Sequence, residues 1–227
     1  MPQKIQSSRI LNEAQKVFLE IFAGSDMASD FVLSGGTALA AFYLEHRLSD
    51  DLDFFSHLPG HFPPTDSLRH WMERHLGQAI YNRIADRRQF SVSCEGVLLK
   101  VEFVPLYFSR LGSPVPVDGI YVDSLEDIAA NKIIAMADRF DPKDFFDVWM
   151  IAKKTPLDIG SMVKLAERKH KANYRYLLHL ERIIANPASL EAIRAVEVFD
   201  PHEVTSFFRT AVKKLALEAI PKISLNC

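Results

Sequence analysis

The sequence holds little cysteine, no long apolar run and no excess of charge of either sign, and each shortage narrows its class. Only Cys94 and Cys227 occur in 227 residues. They lie far apart, without Cys-x-x-Cys or Cys/His spacing, so neither a disulfide framework nor a zinc site is expected and a reducing compartment is the simpler setting. No stretch approaches the ~20 apolar residues of a membrane span, and the opening Met-Pro-Gln-Lys-Ile-Gln-Ser-Ser lacks the apolar centre of a signal peptide. A cytoplasmic chain without membrane association is expected. The 27 Lys plus Arg nearly balance the 29 Asp plus Glu, for a formal charge of −2, which argues against a dedicated polyanion binder but leaves room for a local basic surface. No Gly-x-x-x-x-Gly-Lys-Ser/Thr loop occurs, so a P-loop phosphate site is also excluded. There is no internal repeat and no low-complexity segment.

What is present is a 48% apolar composition, enough for a real core in one large domain or two small, tightly joined ones. Ile10, Leu11, Ala14, Val17, Phe18 and Ile21 recur at helical spacing within residues 5–22. Phe31-Val32-Leu33 reads as a short buried strand, residues 38–45 as a helix, and Leu52, Phe54 and Phe55 as a second strand. Residues 57–64 hold three prolines and a glycine and read as a loop, followed by a helix to about residue 80. Phe90, Val92 and Cys94 alternate with polar residues up to Glu95-Gly96, and Val97–Val104 follows, which is a hairpin pattern. Residues 105–117, with Pro105, Pro114 and Pro116, read as loop. Beyond Ser124 only helices are expected, over 124–138, 142–153, 157–170, 173–185 and 202–217. Mixed elements followed by helices give an α+β core, residues 1–122, and a helical part, residues 123–227.

Two groups of residues carry chemistry. In the first, Ser34-Gly35-Gly36-Thr37 joins a buried strand to a helix start. Glycines there let backbone approach a ligand, and free amides at a helix start favour phosphate. Thr37 reads either as a cap or as a phosphate donor. Asp51 and Asp53 are two apart on a strand, so both carboxylates leave one face while Leu52 and Phe54 enter the core. Such a pair repels unless a cation joins it, and Mg²⁺ is held in this way by carboxylates and substrate phosphates. Glu102, in Lys100-Val101-Glu102-Phe103-Val104, faces away from Val101 and Phe103; it reads as a third metal donor if its strand neighbours residues 51–55, and otherwise as an ordinary polar residue on a half-exposed strand.

In the second group, Ser124-Leu125-Glu126-Asp127 opens a helix with a capping pattern. Lys132 lies on that helix among Ile128, Ala129, Ala135 and Met136, so its ammonium either snorkels outward or is held by an anion. Asp141-Pro142-Lys143-Asp144 opens the next helix. Asp144 is therefore either a capping partner or a site residue, with Asp147 one turn on.

Gly35-Gly36-Thr37-Ala38-Leu39, followed by His46-Arg47-Leu48-Ser49-Asp50-Asp51-Leu52-Asp53-Phe54, resembles the signature of the AbiEii/AbiGii family of nucleotidyltransferase-fold toxins. Lys132, Arg139 and Lys143-Asp144-Phe145-Phe146-Asp147 resemble its later motifs in the same order, so the likeness covers about residues 31–153. Glu102 stands where the resemblance places an aspartate. The resemblance implies a nucleotidyltransferase-like mixed sheet followed by a helical bundle that completes the active site. It implies transfer of a nucleoside monophosphate from an NTP to an acceptor hydroxyl, with Mg²⁺ or Mn²⁺ on Asp51, Asp53 and Glu102. Ser34, Gly35, Gly36, Thr37 and Lys132 would then bind the nucleotide, and Asp144 would help to complete the site. A tRNA 3′ end as acceptor, a toxin–antitoxin or phage-defence setting and a separate antitoxin are implied as well. Residues 164–182 carry six basic side chains (Lys164, Arg168, Lys169, Lys171, Arg175, Arg182) against Glu167 and Glu181, with Tyr174 and Tyr176 among them. They read either as a solvated helix face or as a nucleic-acid surface. A protein or small-molecule acceptor, or a nucleotide- or RNA-binding domain without catalysis, are the alternatives.

Overall fold

In a computed structural model, residues 4–171 and 179–219 are described. Their contacts group into two units. The first is Met1–Ile128 with Arg194–Val196, and the second is Ala129–Ile193 with Glu197–Cys227. The architecture is α+β, as expected from the order of elements. Among the described residues no helix is long and apolar enough to cross a membrane.

The first unit is built on a seven-stranded mixed sheet formed by β1 (Phe31–Ser34), β2 (Leu52–Ser56), β3 (Ala79–Ile84), β4 (Arg87–Cys94), β5 (Val97–Val104), β6 (Val115–Val117) and β7 (Ile120–Val122). Its order is β3-β4-β5-β2-β1-β7-β6. β1 is antiparallel to β2, and β2 is parallel to β5. Period-two alternation sets the faces: Leu52, Phe54, Val101, Phe103, Phe90 and Val92 are fully buried. Against them lie α1 (Glu13–Ala23) and α3 (Thr65–Leu76). Phe22 stands 4.7 Å from Phe54, Phe54 stacks on Phe103 at 5.4 Å, and Phe31 meets Phe103 edge-on at 4.8 Å. Burying each such ring is worth about 2–3 kcal/mol, so this aromatic layer anchors the strands that carry the acidic residues.

Several boundaries differ from the sequence reading, each for a local reason. The first helix begins at Glu13 rather than residue 5, because Asn12 and Gln15 form a reciprocal capping box there. Ile5, Ile10 and Leu11 are still buried, but outside the helix. The helix after the Pro-rich loop stops at Leu76 instead of residue 80. Gly77 follows at φ 88°, and β3 begins two residues later. Within the expected loop 105–117 the chain forms β6, which hairpins with β7 through Asp118-Gly119. Both turn residues have positive φ, 44° and 91°, the requirement that makes Asp-Gly a strong hairpin signal. The Glu95-Gly96 hairpin forms as expected, with φ 50° and 73°.

The helix after β1 starts at Gly35, earlier than residue 38. It runs as α2 (Gly35–Leu39) and continues as a π-helical turn over Ala40–Leu44. On that turn the Tyr43 hydroxyl donates to the Asp123 carbonyl at 2.7 Å. Burial first, then the charges of Asp123, Glu126 and Asp127, push the phenol up to about 12. The folded value lies above the unfolded value of about 10, so this contribution to stability is complete below pH 10 and is lost as pH rises through about 12. An ultraviolet difference titration should show Tyr43 ionising that late, as a signal that Tyr43→Phe removes.

The helix that opens at Ser124, α4 (Leu125–Asp138), continues into the second unit. There α5 (Pro142–Lys154), α6 (Ile159–His170), the short α7 (Arg182–Ala185) and α8 (Pro201–Ala219) follow. The core of this unit is Phe145, Phe146, Val148, Ile151, Met162 and Phe208, all buried; Phe145 meets Phe208 at 5.3 Å and Phe146 meets Phe199 at 4.6 Å. Of the helix expected over 173–185, residues 173–178 lie outside the described residues, and the described remainder includes α7.

Candidate active site

The glycine turn and the acidic strand meet because β1 and β2 are neighbours. Ser34 is the register partner of Asp53, and Asp53 in turn is the register partner of Glu102 on β5 and Glu102 of Gln89 on β4. Paired residues on adjacent strands share a face, so Ser34, Asp53, Glu102 and Gln89 form one polar row across four strands, opposite the aromatic layer.

Close approach explains both glycines. Gly35 has φ 72°, and a β-carbon there would overlap the Asp53 carboxylate; at Gly36 a β-carbon would overlap the Arg47 guanidinium and lie 3.2 Å from the Ser49 hydroxyl. The Arg-x-Ser that precedes the aspartates thus packs against the second glycine, and the second aspartate against the first. Gly35→Ala should cost about 1–2 kcal/mol through the left-handed backbone alone and force Asp53 aside. A melting curve should report the first effect, and turnover falling by more than the lost folded fraction should report the second.

The segment carrying the acids is held from three sides. The Thr37 hydroxyl donates to the Asp51 carbonyl, and the Gln15 amide donates to the Ser49 carbonyl at 2.9 Å. Residues 194–196 add backbone bonds: Leu48 N–H to the Arg194 carbonyl and Val196 N–H to the His46 carbonyl, both 2.9 Å, around an antiparallel Arg47–Ala195 bridge. Arg194 also pairs with Asp50. Thr37 is fully buried and its hydroxyl is committed to Asp51, which makes it a tie of the turn to the acidic segment. The Ser34 hydroxyl, by contrast, is buried with no hydrogen-bond partner among the described residues.

Repulsion among the carboxylates is relieved by Lys100. Its ammonium lies 2.7 Å from Asp51 Oδ2 and 3.4 Å from Glu102 Oε1. Glu102 also accepts from the Gln89 amide at 2.8 Å and faces Arg87 at 3.5 Å. Burial alone would raise the Glu102 carboxyl, but the Gln89 bond together with Lys100 and Arg87 outweighs it and holds the group below the usual carboxylate range. Burial likewise opposes the charge on Lys100, and the bond to Asp51 with both acidic charges raises it on balance. Among the described residues no three His, Cys, Asp or Glu side chains converge closely enough to cage a metal as they stand. The donors on offer are all oxygens, with Asp51 nearly half exposed (45%), and oxygen donors suit a hard divalent ion bound together with substrate phosphates.

The second unit holds a separate buried network. Lys132 Nζ lies 2.7 Å from Asp144 Oδ1 and 2.6 Å from Asp147 Oδ2, while Arg139 approaches Asp144 Oδ2 at 3.0 Å. Lys132 is therefore anion-held instead of snorkelling. The helix start is capped by Asp141, which accepts from Lys143 N–H, so the Asp144 carboxylate is spent on Lys132 and Arg139. Asp147 was not among the expected site residues; its spacing of three from Asp144 was the available signal. Lys100 was also missed, though it shares a strand face with Glu102. Gln89 and Arg194 carry no sequence signal at all. In the basic stretch, Lys164, Arg168 and Lys171 are exposed, but Lys169 is buried and cannot belong to an exposed surface; Tyr174, Arg175 and Tyr176 lie outside the described residues.

The chain is similar to several known proteins. The chain is 30% identical over 212 residues, 91% of its length, to an uncharacterised protein of Aquifex aeolicus, of which it covers 98%. Its fold is similar to that of JHP933 from Helicobacter pylori, with a TM-score of 0.57 at 19% identity over 92% of this chain and 96% of that one. It is also similar to MenT4, a nucleotidyltransferase toxin of Mycobacterium tuberculosis, with a TM-score of 0.54 at 16% identity over 88% and 82% of the two chains. The sequence profile described as nucleotidyl transferase AbiEii toxin, type IV toxin–antitoxin system, matches residues 17–216. With the glycine turn, the Arg-x-Ser and the Asp-x-Asp strand packed together, this chain belongs to the AbiEii nucleotidyl transferase toxin family and is a nucleotidyltransferase.

Proposed function

We propose that the protein moves a nucleoside monophosphate from an NTP to an acceptor hydroxyl in a divalent-metal-dependent reaction, as the toxin of a toxin–antitoxin or phage-defence pair. The observation that carries this reading is the contact of Asp53 with Gly35, which brings a phosphate-type backbone turn and the acidic strand together. The acceptor oxygen forms a bond to the α-phosphorus, the bond from that phosphorus to the α–β bridging oxygen breaks, and pyrophosphate leaves with the electron pair. The acceptor's proton is released to solvent. Gly35 and Gly36 let the backbone close on the triphosphate, and the buried Ser34 hydroxyl is free to donate to it. Asp51 and Asp53, with Glu102 as a third oxygen donor, would hold Mg²⁺ or Mn²⁺. When bound, the ion supplies charge neutralisation at the phosphates and acidifies the attacking hydroxyl. Lys132, oriented by Asp144 and Asp147, is assigned to nucleotide charge. A tRNA 3′ end is the proposed acceptor, with exposed Lys164, Arg168 and Lys171 as its basic surface, and a separate antitoxin protein is the proposed partner.

The test is incubation of the purified protein with each NTP, α-labelled and in parallel γ-labelled, with Mg²⁺ or Mn²⁺ and total tRNA, beside Asp53→Ala. Label on tRNA that disappears in the variant supports the reading. Label on protein or on a small molecule moves the acceptor. Transfer of γ-label overturns nucleotidyl transfer, and NTP binding without any transfer replaces it with a non-catalytic binder.

A further inference from the structure

Away from the Gly35–Asp53 turn, the β3–β4 hairpin carries an arrangement of charge that nothing in the transfer reaction uses. Arg83 and Arg88 are register partners on adjacent antiparallel strands, so two guanidiniums sit directly opposite each other on one sheet face. Like charges so placed repel. Of the nearby carboxylates, Glu102 faces Arg87, while Asp86 accepts from the Tyr107 hydroxyl and shares the cavity with Arg83, Arg87 and Arg88, so cations outnumber acids in the lining. Arg83 bonds the Ala85 carbonyl at 3.1 Å. Arg88 bonds the Pro63 carbonyl at 3.2 Å and lies 3.9 Å from the centre of the Phe62 ring. These contacts orient the two guanidiniums without neutralising them. Burial first, and the charge of Arg83, lower the Arg88 guanidinium from its ordinary value, while Tyr81 and Tyr107 oppose the change.

The pair borders a cavity of about 180 Å³ lined by Thr65, Tyr81, Arg83, Asp86, Arg87 and Arg88. That volume exceeds several waters, at about 30 Å³ each, yet falls below the ~300–1,000 Å³ of sites for organic ligands. Size and charge together select a small polyatomic anion. Two guanidiniums offer forked donors that match tetrahedral oxyanions, and the Tyr81 and Thr65 hydroxyls add neutral donors.

We propose that this cavity is a binding site for a phosphate group, separate from the nucleotide site, with Arg83 and Arg88 as its principal ligands. The group is either free inorganic phosphate or a phosphodiester within a larger molecule, and the two sources differ in charge and bulk. Isothermal titration with inorganic phosphate and with dimethyl phosphate, on the full chain, distinguishes them. Saturable binding of either probe is expected, weakened at least tenfold in Arg83→Gln/Arg88→Gln and unchanged in Asp53→Ala. Stronger binding of inorganic phosphate assigns the free ion, and stronger binding of dimethyl phosphate assigns a diester on a larger molecule. The double variant removes a like-charge pair, so its fold should survive; phosphate should raise the melting temperature of the wild type and leave that of the variant unmoved. Absence of saturable binding of both probes, or binding that the double variant retains, overturns the site. Because Asp53→Ala separates the two sites, failure here leaves the nucleotidyl-transfer reading standing, and failure of that reading leaves this one.

Discussion

Asp53→Asn should lower nucleotidyl transfer by about a thousandfold, corresponding to roughly 4 kcal/mol of transition-state stabilisation. Asp53 lies between Ser34 and Glu102 in the sheet register and touches Gly35, so no other carboxylate can take its place without moving a strand. The amide keeps the size of the side chain but loses the charge that a divalent ion requires. A change in folding is read separately from a change in chemistry, because the amide keeps the shape of the side chain against Gly35. The measurement is single-turnover transfer at saturating NTP, beside a thermal melt. Removal of divalent ions with a chelator should match the variant's rate. Activity within tenfold of wild type, for either the variant or the chelated protein, would remove Asp53 from the centre of the chemistry.

Lys132→Met should destabilise the protein by about 3–5 kcal/mol, the cost of removing one member of a buried ion pair. Lys132 is 7% exposed, Asp144 1% and Asp147 0%. Without the ammonium, Asp144 keeps Arg139, whose side chain is 56% exposed, while Asp147 loses the lysine at 2.6 Å. The charge-neutral control is Lys132→Met/Asp147→Leu, which removes both charges of that pair and should recover much of the loss, since an apolar replacement of a buried pair is often close to neutral. Chemical denaturation of both variants reads this directly. A single-variant loss below ~1 kcal/mol would mean that the network is solvated and contributes little. Kinetics carry the second readout: under conditions where the variant is folded, a raised KM for NTP points to a nucleotide role for Lys132, and an unchanged KM confines it to holding the helices.

Legibility in the sequence followed the range of the interactions involved. Asp53 faces away from the aromatic layer because β2 alternates, a pattern of two-residue spacing, whereas Asp51 stands just before that strand instead of on it. Gly35 could be placed at a strand-to-helix turn from its neighbours alone, and Glu95-Gly96 marked a hairpin for the same local reason. Asp118-Gly119 is equally local, but Pro114 and Pro116 make the stretch before it read as loop; Pro116 is accommodated in a short strand at the edge of the sheet, and Pro114 stands just before it. The start of β3 was hidden by the helix before it, whose apolar period runs on past the point where Gly77 ends it.

The sequence by itself determined the α+β order, the family signature and the outward face of Asp53 on its strand, since each rests on spacings of a few residues. Tertiary structure decided that β5 lies beside β2, which sets Glu102 opposite Asp53, and that Lys100 is the cation between Asp51 and Glu102. It also decided that Arg194 returns from far along the chain to Asp50, and that Lys132 is held by Asp144 and Asp147. Strand order and ion pairing depend on which surfaces meet, and burial makes a carboxylate choose its partner by distance in space, which no local pattern of residues encodes.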